Sequence, residues 1–404
     1  MYDAQRPSSP LPDRRPLAVH LSADYPTAHR GLTTTAVKRL VTSTQDADHV
    51  VFSLNRTSNP FDEAFHDCGL DEGVRVFAYR YFSPPLGIGL AASMRRVARR
   101  IEAVLKSEGL QPDVVHAHKF AFEGIAGLEL VKRCGEETRL FVSVRGEAED
   151  KVLRFKPHYR SLLQAILNRA SRVYYVSAWF APVLHAKLSV DPHKERLLAN
   201  IVGNTGSAIP AQNPQPRFAC VLYLHNYRKK RLEDLFAAFA ILRRSHPGIG
   251  LDLIGGGDED SIHTIEAMIA QNGLTDAVRI LGAMDNAEIT KILPTYLGMA
   301  LPSVNETFGM AYLEALFAGI PILYCKNTGI DGYLDGIDAG IGVTQKSVPE
   351  IAEGLRRLVD DNAAFRSSLQ SHANLLHERF DKEAIIAMYR ADLLAGWTAP
   401  ADAA

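Results

Sequence analysis

This sequence contains little cysteine, little net charge and no long apolar run. Its 404 residues include only four cysteines, and their positions (68, 134, 220 and 325) have neither metal-binding nor redox spacing. We therefore expect reduced thiols in a cytoplasmic protein. The 45 basic and 46 acidic side chains leave a net charge of −1, so composition gives no reason to expect a nucleic acid partner. No apolar run approaches the roughly 20 residues of a transmembrane helix.

The two ends of the chain differ in composition from the rest. Residues 1–16 are polar and proline-rich and lack the apolar core of a signal peptide, so we expect a disordered leader. The tail from Trp397 onwards is expected to be equally loose. The absence of a targeting signal favours a cytoplasmic location, with the inner face of the cytoplasmic membrane as a second interpretation.

Strand and helix patterns alternate twice along the chain, which predicts an α/β protein. The segment 203–216 (GNTGSAIPAQNPQP) is rich in Gly, Pro, Asn and Gln and has the composition of a linker. We therefore predict two doubly wound parallel-sheet domains, 17–205 and 206–377, that face a cleft.

The segment 303–321 has the clearest local pattern. Short apolar runs at 298–301 and 322–325 predict buried strands, and apolar residues at helical spacing between them predict a helix that begins near Gly309. The N–H groups at a helix start favour a phosphate, and carboxylates such as Glu306 and Glu314 accept hydrogen bonds from sugar hydroxyls. The alternative is a surface helix with two solvated glutamates.

The segment reads Ser303-x-x-Glu306-x-Phe-Gly, followed by Glu314-Ala-x-x-x-Gly-x-Pro. This pattern resembles the donor-site signature of the retaining family 4 glycosyltransferases, which have the GT-B fold. The resemblance implies a nucleotide-diphosphate-sugar donor in the second domain and an acceptor in the first, with a C-terminal helix at about 378–396 that crosses back. It assigns catalytic roles to Glu306 and, as described below, to His118 and Lys230. It assigns donor contacts to Phe308, Gly309, Met310 and Glu314.

Three places in the first half of the chain either match or depart from the sequence pattern of the same family. The stretch 112–118 (PDVVHAH) resembles the family's sequence at this place, which implies that His118 lies near the transferred sugar. Arg145 stands where many relatives have histidine, and it binds either a donor phosphate or an acidic acceptor, or it pairs with a nearby glutamate. Arg30 and Gly31 stand where relatives have two glycines, and a ligand contact or a simple turn fits them equally.

The second half offers a further set of donor contacts through the resemblance. In HNYRKK, Lys230 matches the lysine that neutralises the donor diphosphate in the family, while His225 occupies the arginine position and Arg228 lies nearby. The other positions implied to be near the donor are Gly256 in a glycine turn, Met284 in the loop that meets the base, and Asp331 in place of the family's glutamate.

The mechanism implied by the resemblance follows from what the motifs contain and lack. No Asp-x-Asp metal motif precedes a plausible site, and the acidic run 258–260 fits either solvated side chains on a turn or the start of a helix. No metal and no cofactor are therefore expected, only a UDP- or GDP-sugar as donor substrate. No carboxylate stands out as a covalent nucleophile, so the expected route is attack on the same face of the sugar with retained configuration.

Substrate identity stays open at this level. We expect hexose transfer to a glycan or lipid-linked acceptor in bacterial envelope polysaccharide synthesis, by analogy. A non-catalytic nucleotide-sugar-binding protein and a GT-B-like sugar-nucleotide epimerase are the alternatives, and a phosphorylase is disfavoured because no pyridoxal lysine site is found. The basic segments 89–106 and 151–172 indicate either a peripheral contact with anionic lipid or a solvated helix face.

Overall fold

The computed structural model describes residues 15–29, 34–202, 213–304 and 306–397. Arg30 and Gly31, most of the predicted leader, most of the linker and the end of the tail lie outside the described residues. Within the described ranges no helix is both long enough and apolar enough to cross a membrane.

The first sheet has eight strands in the order β3-β4-β2-β1-β5-β6-β7-β8. Its strands are β1 (Leu17–Ser22), β2 (Asp48–Thr57), β3 (Ala64–Asp71), β4 (Val74–Phe82), β5 (Val114–Ala117), β6 (Arg139–Val144), β7 (Ala170–Tyr175) and β8 (Glu195–Leu197). The central strand β1 pairs in parallel with β2 on one side and with β5 on the other. Every residue of β1 and β5 is buried, as expected for parallel strands covered on both faces.

The second sheet has six strands in the order β11-β10-β9-β12-β13-β14. Its strands are β9 (Gln215–Val221), β10 (Gly250–Ile254), β11 (Val278–Gly282), β12 (Tyr296–Ala300), β13 (Ile322–Cys325) and β14 (Gly340–Val343). β9 pairs in parallel with β10 and with β12. The prediction of two parallel-sheet α/β domains is therefore confirmed.

Helices connect most of the strands, as the crossover of a parallel sheet requires. They are α1 (Ala36–Thr42), α2 (Leu90–Ser107), α3 (Glu123–Cys134), α4 (Glu147–Phe155), α5 (Arg160–Arg169), α6 (Phe180–His185), α7 (Leu232–Leu242), α8 (Glu259–Gln271), α9 (Asn286–Ile292), α10 (Met310–Phe317), α11 (Val348–Asp360), α12 (Asn362–Ser371), α13 (Ala373–Phe380) and α14 (Lys382–Leu394). Asp258 caps α8 and accepts a hydrogen bond from Ser261 N–H, which fits the predicted role of that acidic run.

Two edge strands, β3 and β14, are absent from the sequence prediction. β3 forms an antiparallel hairpin with β4 at the edge of the first sheet. Glu72 and Gly73 join the two strands, both with positive φ, which matches the twist of a tight hairpin. β3 was missed because none of its residues is fully buried, so the sequence AFHDCGLD carries no regular apolar alternation.

Contacts divide the chain into two compact units. The first comprises the described parts of Met1–Ser143, Ala165–Val173 and Ile386–Ala404, and the second comprises those of Val144–Gln164 and Tyr174–Ile385. The end of α14 therefore belongs to the first unit, where the Tyr389 hydroxyl lies 2.8 Å from His116 Nδ1. The domain boundaries inferred from the sequence stay a prediction.

Candidate functional site

The strand order of the second sheet reverses between β9 and β12. After β9 the chain proceeds outward through β10 and β11, and it then returns to the other side of β9 as β12. The loops after β9 and β12 therefore diverge to opposite faces of the sheet, and doubly wound folds bind ligands in the crevice that this creates. Lys230 lies in the first of these loops and Glu306 in the second.

Glu306 and Lys230 are in direct contact. The Lys230 ammonium donates to Glu306 Oε2, and the Ser303 hydroxyl donates to the same oxygen at 3.1 Å. The two charged side chains are only 16% and 17% exposed, so the pair is shielded from solvent. The structure thus brings together two of the three residues that the sequence nominated as catalytic.

The backbone of Glu306 is held by a residue that sequence reasoning missed. Glu306 N–H donates to Thr328 Oγ1 at 2.7 Å, and the Thr328 hydroxyl donates back to Glu306 O at 3.0 Å. The same carbonyl accepts from Gly329 N–H at 2.8 Å. These contacts fix Glu306 although residue 328 lies 22 positions further along the chain. No local sequence signal joins the two loops.

Gly309 begins α10 in a left-handed conformation, with φ of 79°. A Cβ atom at this position would lie 2.3 Å from Tyr312 Cδ2 and 3.2 Å from Glu306 Cγ. The Tyr312 ring cannot move away freely because its hydroxyl donates to Leu301 O at 2.6 Å. Glycine is therefore required here both by the backbone and by close packing beside Glu306.

Gly309→Ala is expected to lower the free energy of unfolding by about 2 kcal/mol or more, since it adds a steric clash to the left-handed penalty of about 1–2 kcal/mol. Urea unfolding would measure it. Gly273→Ala is the matched control because Gly273 has φ of 67° with nothing within 4 Å of the added Cβ. Equal losses in the two variants would show that packing against Tyr312 is unimportant.

The other predicted donor contacts in the segment 303–321 differ in exposure. The Phe308 side chain is 1% exposed and packs edge-on against Tyr333, with ring centroids 5.4 Å apart. A contribution from Phe308 to donor binding would therefore come from its backbone. Met310 and Glu314 are partly exposed, on the first and second turns of α10.

The loop after β9 presents several basic groups to solvent. His225 and Arg228 are both exposed; His225 stacks on Tyr223, and the Arg228 guanidinium lies 5.4 Å from the centroid of the Tyr227 ring. This loop contacts the loop after β12, because Val304 N–H donates to Lys229 O at 3.2 Å.

Three further predicted donor contacts lie in neighbouring loops. Gly256 O accepts from Leu224 N–H at 2.8 Å, which places the glycine turn after β10 beside the loop after β9. Met284 is partly exposed in the loop before α9. The Asp331 carboxylate accepts from Asn327 N–H at 2.6 Å, so it holds its own loop in shape.

His118 lies at the carboxyl end of β5 in the first unit. The order of the first sheet reverses between β1 and β5, so this end is again a topological switch point. The His118 ring is 1% exposed and stacks on His116, with centroids 3.9 Å apart. His118 is therefore part of a buried histidine cluster rather than a side chain exposed at the surface.

Three rings of this cluster lie close enough to hold a metal ion. Within the described part of the chain, one nitrogen from each of His20, His116 and His118 lies within 4.8 Å of the others. Both nitrogens of His20 are hydrogen-bonded to other histidines, and both nitrogens of His116 are hydrogen-bonded to hydroxyl groups. A metal would have to displace these contacts, so the geometry fits a hydrogen-bond network better than a metal centre.

A buried carboxyl group lies at the same end of the first sheet. Glu123 is 2% exposed, and its Oε1 accepts from Ala23 N–H at 2.8 Å. Burial raises the pKa of Glu123 to about 7, while Lys119 acts in the opposite direction. The folded state thus favours the protonated carboxyl.

This elevated pKa predicts a pH-dependent effect of Glu123→Gln. Because the folded pKa lies above the unfolded one, the wild type should lose stability as the pH rises from about 4.5 to 7. Glutamine keeps the acceptor oxygen without ionising, so the variant should gain stability relative to the wild type across that range. Urea unfolding at several pH values would measure this gain, with Glu129→Gln on the same helix as control. A constant difference between variant and wild type would contradict the prediction.

Arg145 is located just after β6 and is 6% exposed. Its carbonyl accepts a hydrogen bond from the Ser177 hydroxyl at 2.6 Å. Its suggested roles as a phosphate or acceptor contact stay predictions.

The two basic segments use several of their cations inside the protein. Arg96 donates to Phe82 O at 2.6 Å, and Arg169 donates to Thr138 O at 2.7 Å. These contacts favour a structural interpretation of the segments over a contact with lipid, which stays a prediction.

Two family models match the chain. The model described as "Glycosyl transferases group 1" matches residues 208–375, and the one described as "Glycosyl transferase 4-like domain" matches residues 31–200. Between them they cover most of the sequence.

Similar proteins extend over nearly the full length. Glycogen synthase from Mycobacterium tuberculosis is 26% identical over 387 residues, which are 90% of this chain and 91% of that protein. N-acetyl-alpha-D-glucosaminyl L-malate synthase from Bacillus anthracis is 23% identical over 80% of this chain and 82% of that protein.

Solved structures share the fold. Sucrose-phosphate synthase from Thermosynechococcus elongatus superposes with a TM-score of 0.69 at 19% identity, covering 95% of this chain and all of that one. Anabaena Alr3699/HepE in complex with UDP and glucose gives 0.64 at 15% identity, covering 95% of this chain and 100% of that one. The fold is therefore that of the GT-B glycosyltransferases. The chain belongs to the group 1 glycosyl transferases.

Proposed function

We propose that this protein is a retaining, metal-independent hexosyltransferase that uses a nucleotide-diphosphate sugar. The observation that carries the proposal is the contact of Lys230 with Glu306 at the switch point of the second sheet, next to the start of α10. It combines a cation and the N–H groups of a helix start, which suit a diphosphate, with a carboxylate that suits sugar hydroxyls.

Charge neutralisation in this proposal comes from the protein itself. A leaving diphosphate develops negative charge as the bond to the sugar breaks, and preorganised donors lower the barrier most effectively. Lys230 and Arg228 supply positive charge, and the His225 ring and the N–H groups at the start of α10 supply hydrogen bonds. The nucleotide base would lie towards Met284 and Gly256.

Retention of configuration follows from attack on the face that the leaving group vacates. The acceptor oxygen forms its bond to the anomeric carbon as the bond to the diphosphate breaks. The acceptor proton passes to the departing phosphate oxygen, so no protein nucleophile is needed. Proton NMR of the anomeric signal in the product would distinguish retention from inversion.

The acceptor is proposed to be a glycan or lipid-linked sugar, as in envelope polysaccharide synthesis. The first unit has a small open pocket of about 10 Å³, which is room for a single hydroxyl group rather than for a whole sugar ring. Its polar lining includes Ser53, Asn55, His66 and Arg80, which can donate to or accept from sugar hydroxyls.

Ligand-induced thermal stabilisation tests the proposed donor site. UDP, GDP, ADP and CMP are added to the wild type and to Glu314→Ala, each with and without EDTA. At about 100 times its dissociation constant a ligand stabilises the folded state by roughly 2.7 kcal/mol, which should raise the melting temperature by several degrees. We expect one nucleoside diphosphate to give this shift without metal, and the variant to lose it.

Glu266→Ala on α8 serves as the matched control, because Glu266 is an exposed helix glutamate in the same unit. It should keep the shift. If no nucleotide shifts the melting temperature of well-folded protein, the donor-site proposal is wrong. Nucleotide binding without release of nucleoside diphosphate from any donor and acceptor would favour the non-catalytic alternative.

A further inference from the structure

The buried histidine cluster contains a continuous row of hydrogen bonds, here called the histidine chain. His49 Nε2 lies 2.6 Å from Thr44 O, His49 Nδ1 lies 2.9 Å from His20 Nε2, and His20 Nδ1 lies 3.1 Å from His118 Nε2. His20 is fully buried, while His118 and His49 are 1% and 8% exposed. The histidine chain joins residues from three neighbouring strands, namely β1, β2 and the end of β5.

The Thr44 carbonyl at one end of the histidine chain determines which nitrogen donates in each of its hydrogen bonds. A carbonyl oxygen can only accept, so His49 Nε2 must carry the proton that it shares with Thr44. In a neutral ring Nδ1 of His49 is then the acceptor, and His20 Nε2 must donate to it. His20 Nδ1 becomes an acceptor in turn, and His118 Nε2 must donate.

The rings are held neutral by their surroundings. Burial lowers the pKa of His20 well below its usual range, and the neighbouring His49 and His116 lower it further. Burial also lowers the pKa of His49, although its bond to Thr44 and the charge of Asp48 act in the opposite direction.

We propose that His20 and His49 are positioning residues that hold His118 in the tautomer with its proton on Nε2, so that Nδ1 is its acceptor nitrogen. A ring fixed in this way accepts a hydrogen bond from a hydroxyl group through Nδ1 without a tautomer exchange. The consequence for catalysis rests on the proposed function and on the position near the transferred sugar that the family resemblance implies for His118. The tautomer itself rests on neither.

The tautomer is measured directly by long-range proton–nitrogen NMR of protein with ¹⁵N-labelled histidine, in the presence of EDTA. The His118 signals are assigned by their loss in His118→Asn. We expect a protonated Nε2 and an unprotonated Nδ1 in the wild type. A proton on Nδ1 would overturn the proposal. A change at Nε2 when stoichiometric zinc is added after removal of the EDTA would also overturn it, because that nitrogen would then be a metal ligand.

Two variants of His20 test whether its hydrogen bonds, rather than its packing, set the tautomer of His118. His20→Gln keeps an oxygen that accepts from His118 and an amide that donates to His49, so it should preserve the tautomer. His20→Leu removes both and should leave His118 as a mixture of tautomers. We expect kcat/KM for transfer to fall about tenfold in His20→Leu, equivalent to about 1.4 kcal/mol, and to stay within about twofold in His20→Gln.

An unchanged tautomer in a folded His20→Leu protein would overturn the positioning role. If that variant does not fold, the wild-type and His20→Gln spectra still show which tautomer His118 adopts. If the protein transfers no sugar at all, the proposed function fails while the spectra test the tautomer independently.

Discussion

Replacing Lys230 with alanine is expected to reduce kcat/KM for sugar transfer ten- to a hundredfold. The lysine makes a charge-assisted contact that we place on the leaving diphosphate, and the loss of one such contact costs roughly 1.5–3 kcal/mol. Because that negative charge grows as the bond breaks, the loss should appear mainly in kcat. Release of nucleoside diphosphate, with the donor found by thermal shift, measures the effect.

The control for this experiment is Lys291→Ala, which removes an exposed lysine from α9 in the same unit. It should leave kcat/KM within about twofold of the wild type. The Glu306→Gln variant and the double variant complete the comparison, because residues in contact are expected to be non-additive. Full activity in a folded Lys230→Ala protein would remove the cation from the proposed mechanism.

The largest expected effect on stability is that of Asp252→Asn, a loss of about 3 kcal/mol in the free energy of unfolding. Asp252 is fully buried, and its carboxylate accepts from Arg217 Nε and Arg279 Nε at 2.8 Å each and from the Tyr296 hydroxyl at 2.9 Å. Burial alone would raise its pKa, but these hydrogen bonds outweigh burial and lower the pKa. Asparagine keeps one acceptor oxygen but removes the negative charge that the two guanidinium groups share. It also places an amide donor against guanidinium donors, which is costly.

Asp276→Asn is the matched control because it removes the carboxylate of an exposed pair. Asp276 contacts Arg243 at 2.8 Å with its side chain 67% exposed, and such pairs contribute about 0–1 kcal/mol. Urea unfolding of both variants gives the comparison. Similar losses in the two would show that the buried network of Asp252 contributes no more than a surface ion pair.

Much of the second domain could be predicted from the sequence. β13 has the bounds that its apolar run indicated, β12 overlaps the run at 298–301, and α10 begins directly after Gly309 as expected. These elements were found because hydrophobic periodicity and turn glycines are local signals. The edge strand β3 was missed because its half-exposed residues give no such signal.

The candidate site could be predicted only in part. The motif nominated Glu306 and Lys230, and the structure brings them into contact. It also nominated Phe308 as a donor contact, yet that side chain is in the protein interior. A sequence pattern gives the spacing of residues along a loop, but the direction of each side chain depends on the elements packed around it.

The sequence by itself determined the alternation of strands and helices, the glycine at the start of α10 and the residue types at the donor motif. Only the tertiary structure decided that Thr328 holds the backbone of Glu306, and that His49, His20 and His118 form one directed chain. The physical reason is that these contacts join residues far apart in sequence. Their distances depend on which strands are neighbours in the sheet, and a one-dimensional pattern does not contain that order.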